Sequence, residues 1–233
     1  MPEQRESAGD AARQRPEDWR AHFEREEARY RDGEGRLSEA GDPDARQRQL
    51  TRLGNAAAGA GFALLMQGRT EVARTWLTRA ADRYRDSFAE APPNSWGRPI
   101  GAMKARLVAG DWDGAAADAR WALDAGAADA ESPIGRYAAA LAWLVLGEDE
   151  HARANADAIR ARDDFPAAVG DALAFVAAHD VLGYTESVEA VLESFESRDE
   201  YLEDIPVADT VLVLQALAGK RGISVELASP LLP

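Results

Sequence analysis

Three histidines are the first residues to consider for chemistry, because imidazole transfers protons and binds metals near neutral pH. His22, His151 and His179 lie in three distant segments, and the chain has no HExxH motif or histidine pair four residues apart. A metal centre or a general base needs its partners at defined spacing. The spacing therefore favours solvated histidines and predicts neither a metal site nor a catalytic base.

Nucleophiles and paired carboxylates form no catalytic pattern either. The chain has no cysteine, and its serines lie outside any GxSxG motif, which would also need a preceding strand. Adjacent carboxylates are expected by chance in so acidic a chain; the pairs are Asp111 with Asp113, Asp149 with Glu150 and Asp163 with Asp164. We therefore predict that the protein is not an enzyme, and an unrecognised catalytic site is the weakest of three alternatives.

The segment GNAAAGAG at 54–61 superficially resembles a phosphate-binding loop. It lacks the GK[ST] ending of such loops and follows no strand, so it does not predict phosphate binding. Small residues at Gly54, Ala58 and Gly61 instead suit a helix that another helix crosses closely. The sequence predicts no cofactor.

Five glutamates near the C-terminus are spaced by three and four residues, which places them on one helical stripe: Glu186, Glu189, Glu193, Glu196 and Glu200. A second stripe of Val188, Leu192 and Phe195 can pack inward. Like charges four residues apart destabilise an isolated helix by about 0.2–0.5 kcal/mol each. The glutamates are either a solvated face or a binding surface for a basic partner.

The segment APPNSWGRPIG at 91–101 interrupts the surrounding helical pattern with prolines. Trp96 in such a loop can close the end of a helix layer. Alternatively, Trp96 and Arg98 are exposed contact residues, because both residue types are enriched where proteins bind one another.

Charge is the strongest compositional signal. The 233 residues include 41 acidic and 27 basic side chains, for a net charge of −14, and only Lys104 and Lys220 are lysines. Residues 163–233 alone carry fourteen acidic and three basic residues. Arginine use with few lysines in an acidic chain is typical of a salt-rich cytoplasm, so we expect a halophile's cytoplasmic protein. The chain has no basic stripe, which argues against a nucleic-acid partner.

Apolar runs in this chain are short. The longest, at 137–146, is about half of a membrane-spanning helix, and no apolar segment follows Met1, so we expect neither a membrane anchor nor a secretory signal. Residues 1–16 are polar, which predicts a disordered segment. Residues 17–233 are expected to form a single helical-repeat domain.

A repeat built on glycine organises the chain from residue 62 onward. Gly68, Gly110 and Gly147 each end an apolar helix, and Gly183 begins a degenerate fourth copy. The intervals of 42, 37 and 36 residues are close to the tetratricopeptide period. We therefore predict an all-α fold of antiparallel helix pairs, stacked as a tetratricopeptide-like α-solenoid with a short extended C-terminal tail.

Local signals predict where several helices begin. Thr70 and Asp111 are expected to cap their helices, and Ser132 with Pro133 opens another. Pro206 is expected to open the last helix, which Gly222 ends.

The last thirty residues, DIPVADTVLVLQALAGKRGISVELASPLLP, consist of an apolar helix, ALAGKRGISVE and a terminal SPLLP. This stretch resembles the end of the immunity protein 49 family, whose all-helical members bind and neutralise polymorphic-toxin effectors in the producing cell. The matching residues are Leu214, Ala218, Arg221, Gly222, Ile223, Val225, Glu226, Ser229 and Pro233. The resemblance implies an immunity protein and carries over no toxin-contacting residue.

The predicted function is non-catalytic protein binding, in which the chain masks the surface of a toxin. The acidic C-terminal region suits a basic toxin domain. The alternative is a tetratricopeptide-like scaffold or adaptor that binds a peptide or protein on its concave face. The predicted partner-binding residues are Glu186, Glu189, Glu193, Glu196, Glu200, Trp96 and Arg98.

Overall fold

The computed structural model describes residues 18–201 and 204–233 and folds them into α-helices, with no β-strand in those ranges. The helices described are α1 Trp19–Leu37, α2 Pro43–Met66, α3 Thr70–Phe88, α4 Gly97–Ala109, α5 Trp112–Asp124, α6 Pro133–Leu146, α7 Asp149–Arg160, α8 Ala167–Ala177, α9 Val181–Glu196 and α10 Asp209–Gly219. The predicted all-α fold class is confirmed. The predicted disorder of residues 1–16 lies outside the described residues.

Three of the predicted glycine turns have the backbone conformation that the repeat requires, and Gly68, which follows α2, has φ +71°. Gly110 and Gly147 end α4 and α6 in the left-handed region, at φ +73° and +80°. The next amide in each turn reaches back to a helix carbonyl, Asp111 N to Arg106 O at 2.9 Å and Glu148 N to Trp143 O at 2.9 Å. Only glycine adopts this conformation at little cost, so these glycines set the turns between paired helices.

The predicted fourth turn at Gly183 is wrong. Gly183 lies inside the first turn of α9, and its N–H donates to the capping carboxylate of Asp180 at 3.0 Å. The left-handed residue between α8 and α9 is His179, at φ +55°. A Cβ at Gly183 would lie 2.5 Å from the Phe175 ring, so close helix packing explains this glycine.

The predicted caps are partly confirmed. Asp111 accepts from Gly114 N at 2.9 Å, and Ser132 accepts from Gly135 N at 3.1 Å, as expected for N-caps. Thr70 does not cap α3, because it is already the first residue of that helix. Pro206 does not open the last helix, which begins at Asp209 after a short coil.

Small residues in α2 allow α3 to approach closely, as predicted. A Cβ at Gly54 would lie 2.7 Å from the Tyr84 ring, and one at Gly61 would lie 2.7 Å from Leu77 Cγ. Larger side chains would force the two helices apart, so the glycine-rich segment is a packing surface.

Each helix from α1 to α9 packs against the next one along the chain, and α6 also contacts α4 and α8. The last helix folds back, because α10 packs against α4, α8 and α9. Behind α10 the tail has no helix, and it buries Ile223 and Leu231 in the same core. In the described ranges no helix combines the length and the apolar character needed to cross a lipid bilayer.

Candidate functional site: an acidic face and an inner cavity

Helix α9 packs one side into the core and presents carboxylates on the other. Val188, Leu192 and Phe195 are buried, as predicted. The exposed glutamates of this helix, here called the acidic face, are Glu186, Glu189, Glu193 and Glu196. The amphipathic pattern of the sequence therefore gave the correct orientation of α9.

Few groups of the protein contact the acidic face. Glu196 accepts a hydrogen bond from Ser229 Oγ at 2.7 Å. Among residues 18–201 and 204–233, no salt bridge joins the other three glutamates of the face to a basic side chain, whereas Lys104 and Arg221 pair with Asp209 and Asp149. The acidic face thus keeps its charge uncompensated by neighbouring cations.

Glu200 does not belong to the helical stripe, contrary to the prediction. Helix α9 ends at Glu196, and Glu200 is exposed in the coil that follows. The Arg198 guanidinium folds over the Phe195 ring at 3.8 Å, and the Tyr201 hydroxyl donates to Phe195 O at 2.8 Å. These contacts hold the coil after α9 against Phe195, the residue before the last one of the helix.

Trp96 and Arg98 have internal contacts, so the packing interpretation is favoured over the exposed one. Trp96 is 6% exposed and belongs to the apolar core at the start of α4. Arg98 donates to Ser87 Oγ at 2.9 Å and to Gln47 Oε1, and burial lowers the pKa of its guanidinium. Arg98 therefore links α4 to α3 and α2.

An inner cavity of about 440 Å³ lies between the even-numbered helices and the chain that follows α9. Its wall is mostly apolar and aromatic, with contributions from α2, α4, α6, α8 and residues 195–201 and 205–210. The larger apolar lining residues are Phe62, Ile100, Ile134, Tyr137, Phe165, Val169, Phe195, Tyr201, Ile205 and Val207.

One of the two lysines of the chain lies at this cavity. Lys104 Nζ is 2.5 Å from Asp209 Oδ2 and donates to Thr210 Oγ1 at 3.0 Å. These two contacts connect α4 to α10. The Lys104 and Asp209 side chains are 14% and 25% exposed. Burial disfavours the ammonium, but the attraction of Asp209 helps raise the pKa of Lys104 above its ordinary value. Lys104 is therefore a charged, paired residue and not a neutral nucleophile.

One histidine and one carboxylate are paired as in an acid–base dyad, His179 with Asp149. His179 Nε2 lies 2.8 Å from Asp149 Oδ2, while Arg221 pairs with Asp149 Oδ1 and donates to Leu144 O at 2.9 Å. Burial opposes the Asp149 carboxylate, but the hydrogen bonds from Arg221 and His179 hold its pKa below the usual range. Arg221 is only 6% exposed, so the cluster works as a clamp between the α6–α7 turn and α10.

Comparison with family models, with curated proteins and with solved structures finds no match to this chain. Across the described parts of the chain, no group of three or more histidine, aspartate and glutamate side chains is placed to hold a metal ion. The candidate functional sites are therefore the acidic face and the inner cavity.

The sequence interpretation missed the cavity because its lining residues are far apart along the chain. One signal was available: Lys104 interrupts the apolar helix AMKARLVA in a chain that otherwise avoids lysine. An isolated lysine in such a helix indicates either a buried ion pair or a ligand. Its partner, Asp209, lies in a distant helix and could not be assigned from local spacing.

Proposed function

We propose that this chain is a non-catalytic protein-binding protein that covers the surface of a basic partner with its acidic face. The observation that supports this most directly is that, among residues 18–201 and 204–233, no basic side chain forms a salt bridge with the acidic face. Residues 163–233 have three basic residues, Arg198, Lys220 and Arg221, against fourteen acidic ones. Those three lie over Phe195, over Trp112 and beside Asp149, respectively.

An uncompensated row of carboxylates on a rigid helix suits electrostatic recognition. Opposite charge speeds the encounter of two proteins and selects the orientation in which they meet. Helix α9 is held by its buried apolar side, so its carboxylates keep their spacing when a partner approaches. Occlusion of this kind requires complementary shape and charge, and no catalytic residue.

The specific function that we propose is immunity, with a basic toxin domain as the partner in the cytoplasm. The support is the resemblance of residues 204–233 to the end of the immunity protein 49 family, together with the acidic charge. In that segment, Arg221 and Gly222 have structural roles, one in the Asp149 clamp and one in a left-handed turn at φ +75°.

Co-expression tests this proposal. Toxin domains from neighbouring genes are expressed with the wild-type chain or with the variant Glu186→Gln, Glu189→Gln, Glu193→Gln, and growth is scored. A matched control, Glu27→Gln, Glu34→Gln, Glu71→Gln, loses three glutamates that pair with Arg31, Arg83 and Arg74.

We expect the wild type and the control to restore growth and the acidic-face variant to restore it less. The purified variant should also associate more slowly with the toxin, and the difference should shrink in high salt. Equal rescue by all three proteins would show that the acidic face is not the binding surface. No rescue by the wild type with any neighbouring toxin would contradict immunity.

The second candidate is a scaffold that binds a peptide on the inner side of the helix stack, and the apolar cavity favours it. Helix α10 and residues 195–201 and 205–208 already cover part of that side. A peptide would therefore insert one or two side chains into the cavity. Photo-crosslinking from Ile134, which is exposed at the cavity, would distinguish this mode from binding at α9.

A further inference from the structure

The inner cavity has the size and the lining of a small-molecule site. Ligand pockets in proteins span about 300–1,000 Å³ and are mostly apolar, with a few polar groups that orient the ligand. A second cavity of about 350 Å³ adjoins the first, and the two share wall residues on α2 and α4. The shared residues are Asn55, Ala58, Phe62, Gly97, Ile100, Lys104 and Asp209. The two adjoining spaces together have room for a linear apolar molecule.

The side chains that line the inner cavity carry a net positive charge, whereas residues 163–233 are strongly acidic. Lys104 and Arg198 are the basic residues of the lining, and Asp209 is its acidic residue. Because Lys104 neutralises Asp209 in the ion pair, Arg198 supplies the remaining charge. In the part of the chain that the structure describes, Arg198 has no salt bridge. Its side chain is exposed, and its guanidinium carbon lies 3.8 Å from the centre of the Phe195 ring.

A cation on the surface of an aromatic ring at the mouth of an apolar cavity is a recognition element for an anion. A guanidinium that lies on an aromatic ring still has N–H donors in the fork that a carboxylate accepts. An ammonium ligand would be repelled by Arg198. An uncharged ligand would leave Arg198 without a partner.

We propose that the inner cavity binds an aliphatic monocarboxylate, with the carboxylate at Arg198 and the alkyl chain between the aromatic walls. Tyr137 and Phe165, whose ring centroids are 5.5 Å apart, form one wall of the space that would hold the alkyl chain of the ligand. The site does not include the acidic face, so this proposal is tested independently of the immunity proposal.

Three ten-carbon probes test the ligand class with the full-length chain. Decanoate, decanol and decylammonium are titrated below their micellar concentrations, and affinity is measured by calorimetry and by displacement of a fluorescent dye. We expect decanoate to bind at least about tenfold more tightly than decylammonium, with decanol between them. Octanoate should bind at least about tenfold more weakly than decanoate, because it buries two fewer methylene groups.

Two variants locate the probe. Arg198→Gln should lower the affinity for decanoate to that for decanol and leave decanol binding unchanged, since only the charge contact is lost. Ala58→Phe, which fills the junction of the two cavities, should weaken all three probes. The exposed Arg120 on α5 provides the matched control, Arg120→Gln, which should change nothing. Circular dichroism checks that each variant is folded.

Equal affinity for decanoate and decylammonium, or an unchanged decanoate affinity in Arg198→Gln, would overturn the proposal. If Ala58→Phe fails to fold, Phe62→Ala provides the second test, because it enlarges the same space and should change the preferred chain length. A wild-type protein that sediments as a dimer and binds none of the probes would also overturn it, since a second copy would then cover the cavity.

Discussion

Helices α1 to α5 and helix α9 are both rich in carboxylates, but these carboxylates have different neighbours. In the first region arginines pair with acids within a helix, as in Arg31 with Glu27, and between helices, as in Arg83 with Glu34. On α9 the exposed glutamates have no such salt bridge to any basic residue that the structure describes. The first surface is internally neutralised, and the second keeps a negative potential that a partner can neutralise.

The contrast extends from the surface into the packing of the first region. Asp118 on α5 is 2% exposed and contacts Arg85 of α3 at 2.8 Å and Arg106 of α4 at 3.4 Å. Arg106 also pairs with Asp82 and Asp111. Charge in this region therefore connects three helices, whereas on α9 the buried apolar side provides the attachment. Carboxylates thus stabilise the fold in α1 to α5, whereas those on α9 remain available to bind a partner.

The largest effect should come from breaking the connected network. Asp118→Ala leaves Arg106 largely buried and short of one partner, so we expect the free energy of unfolding to fall by about 3 kcal/mol, at the lower end for buried ion pairs because Asp82 and Asp111 remain. Urea denaturation measures it, with the exposed Asp124→Ala as the control. A loss below about 1 kcal/mol would mean that the network adds little to stability.

The Asp149 clamp should make stability depend on acid pH. Its folded-state pKa is lowered, so the stabilisation is present above the unfolded value, about 3.9, and is lost as the pH falls through the lower folded value. We expect Asp149→Asn to be less stable at pH 7 by about 1–2 kcal/mol. The difference should shrink toward pH 2. Thermal melts from pH 7 to 2 test this, and a constant difference would argue against the clamp.

Salt should stabilise the whole chain, because screening relieves repulsion among its excess carboxylates. Melting in KCl from molar to tens of millimolar should show a midpoint that falls by several degrees on dilution. This is the test of the halophile hypothesis. A midpoint that does not move across the range would contradict it.

The smallest effect is also the most direct test of the comparison, because its sign should differ between the two regions. The first test is a triple variant in low salt, Glu186→Gln, Glu189→Gln, Glu193→Gln. Its free energy of unfolding should rise by about 0.2–0.5 kcal/mol per charge removed. The paired control, Glu27→Gln, Glu34→Gln, Glu71→Gln, should lower it by a similar amount. Changes of the same sign in both variants would remove the distinction between the regions.

Features set by neighbouring residues were predictable from the sequence. The turns at Gly110 and Gly147, the caps at Asp111 and Ser132 and the two sides of α9 all follow from contacts within a few positions. Such contacts depend on helix geometry and backbone conformation, which each short segment carries in its own residues. The all-α fold class follows from the same local information.

Features that depend on which helices meet were decided only by the tertiary structure. The sequence placed a turn at Gly183, but Phe175 packs there and the turn is at His179. It left Trp96 open between two roles, and packing buried that side chain.

The inner cavity is the extreme case, because its charged pair joins Lys104 to Asp209 across the chain. That pair forms only because α10 folds back onto α4 and α8. The return of α10 is a consequence of burying its apolar residues against helices distant in sequence, so no local pattern around either residue encodes it. The sequence by itself determined the all-α class, the turns at Gly110 and Gly147 and the sign of the surface charge. The fold determined which of those charges became paired and where a cavity remained.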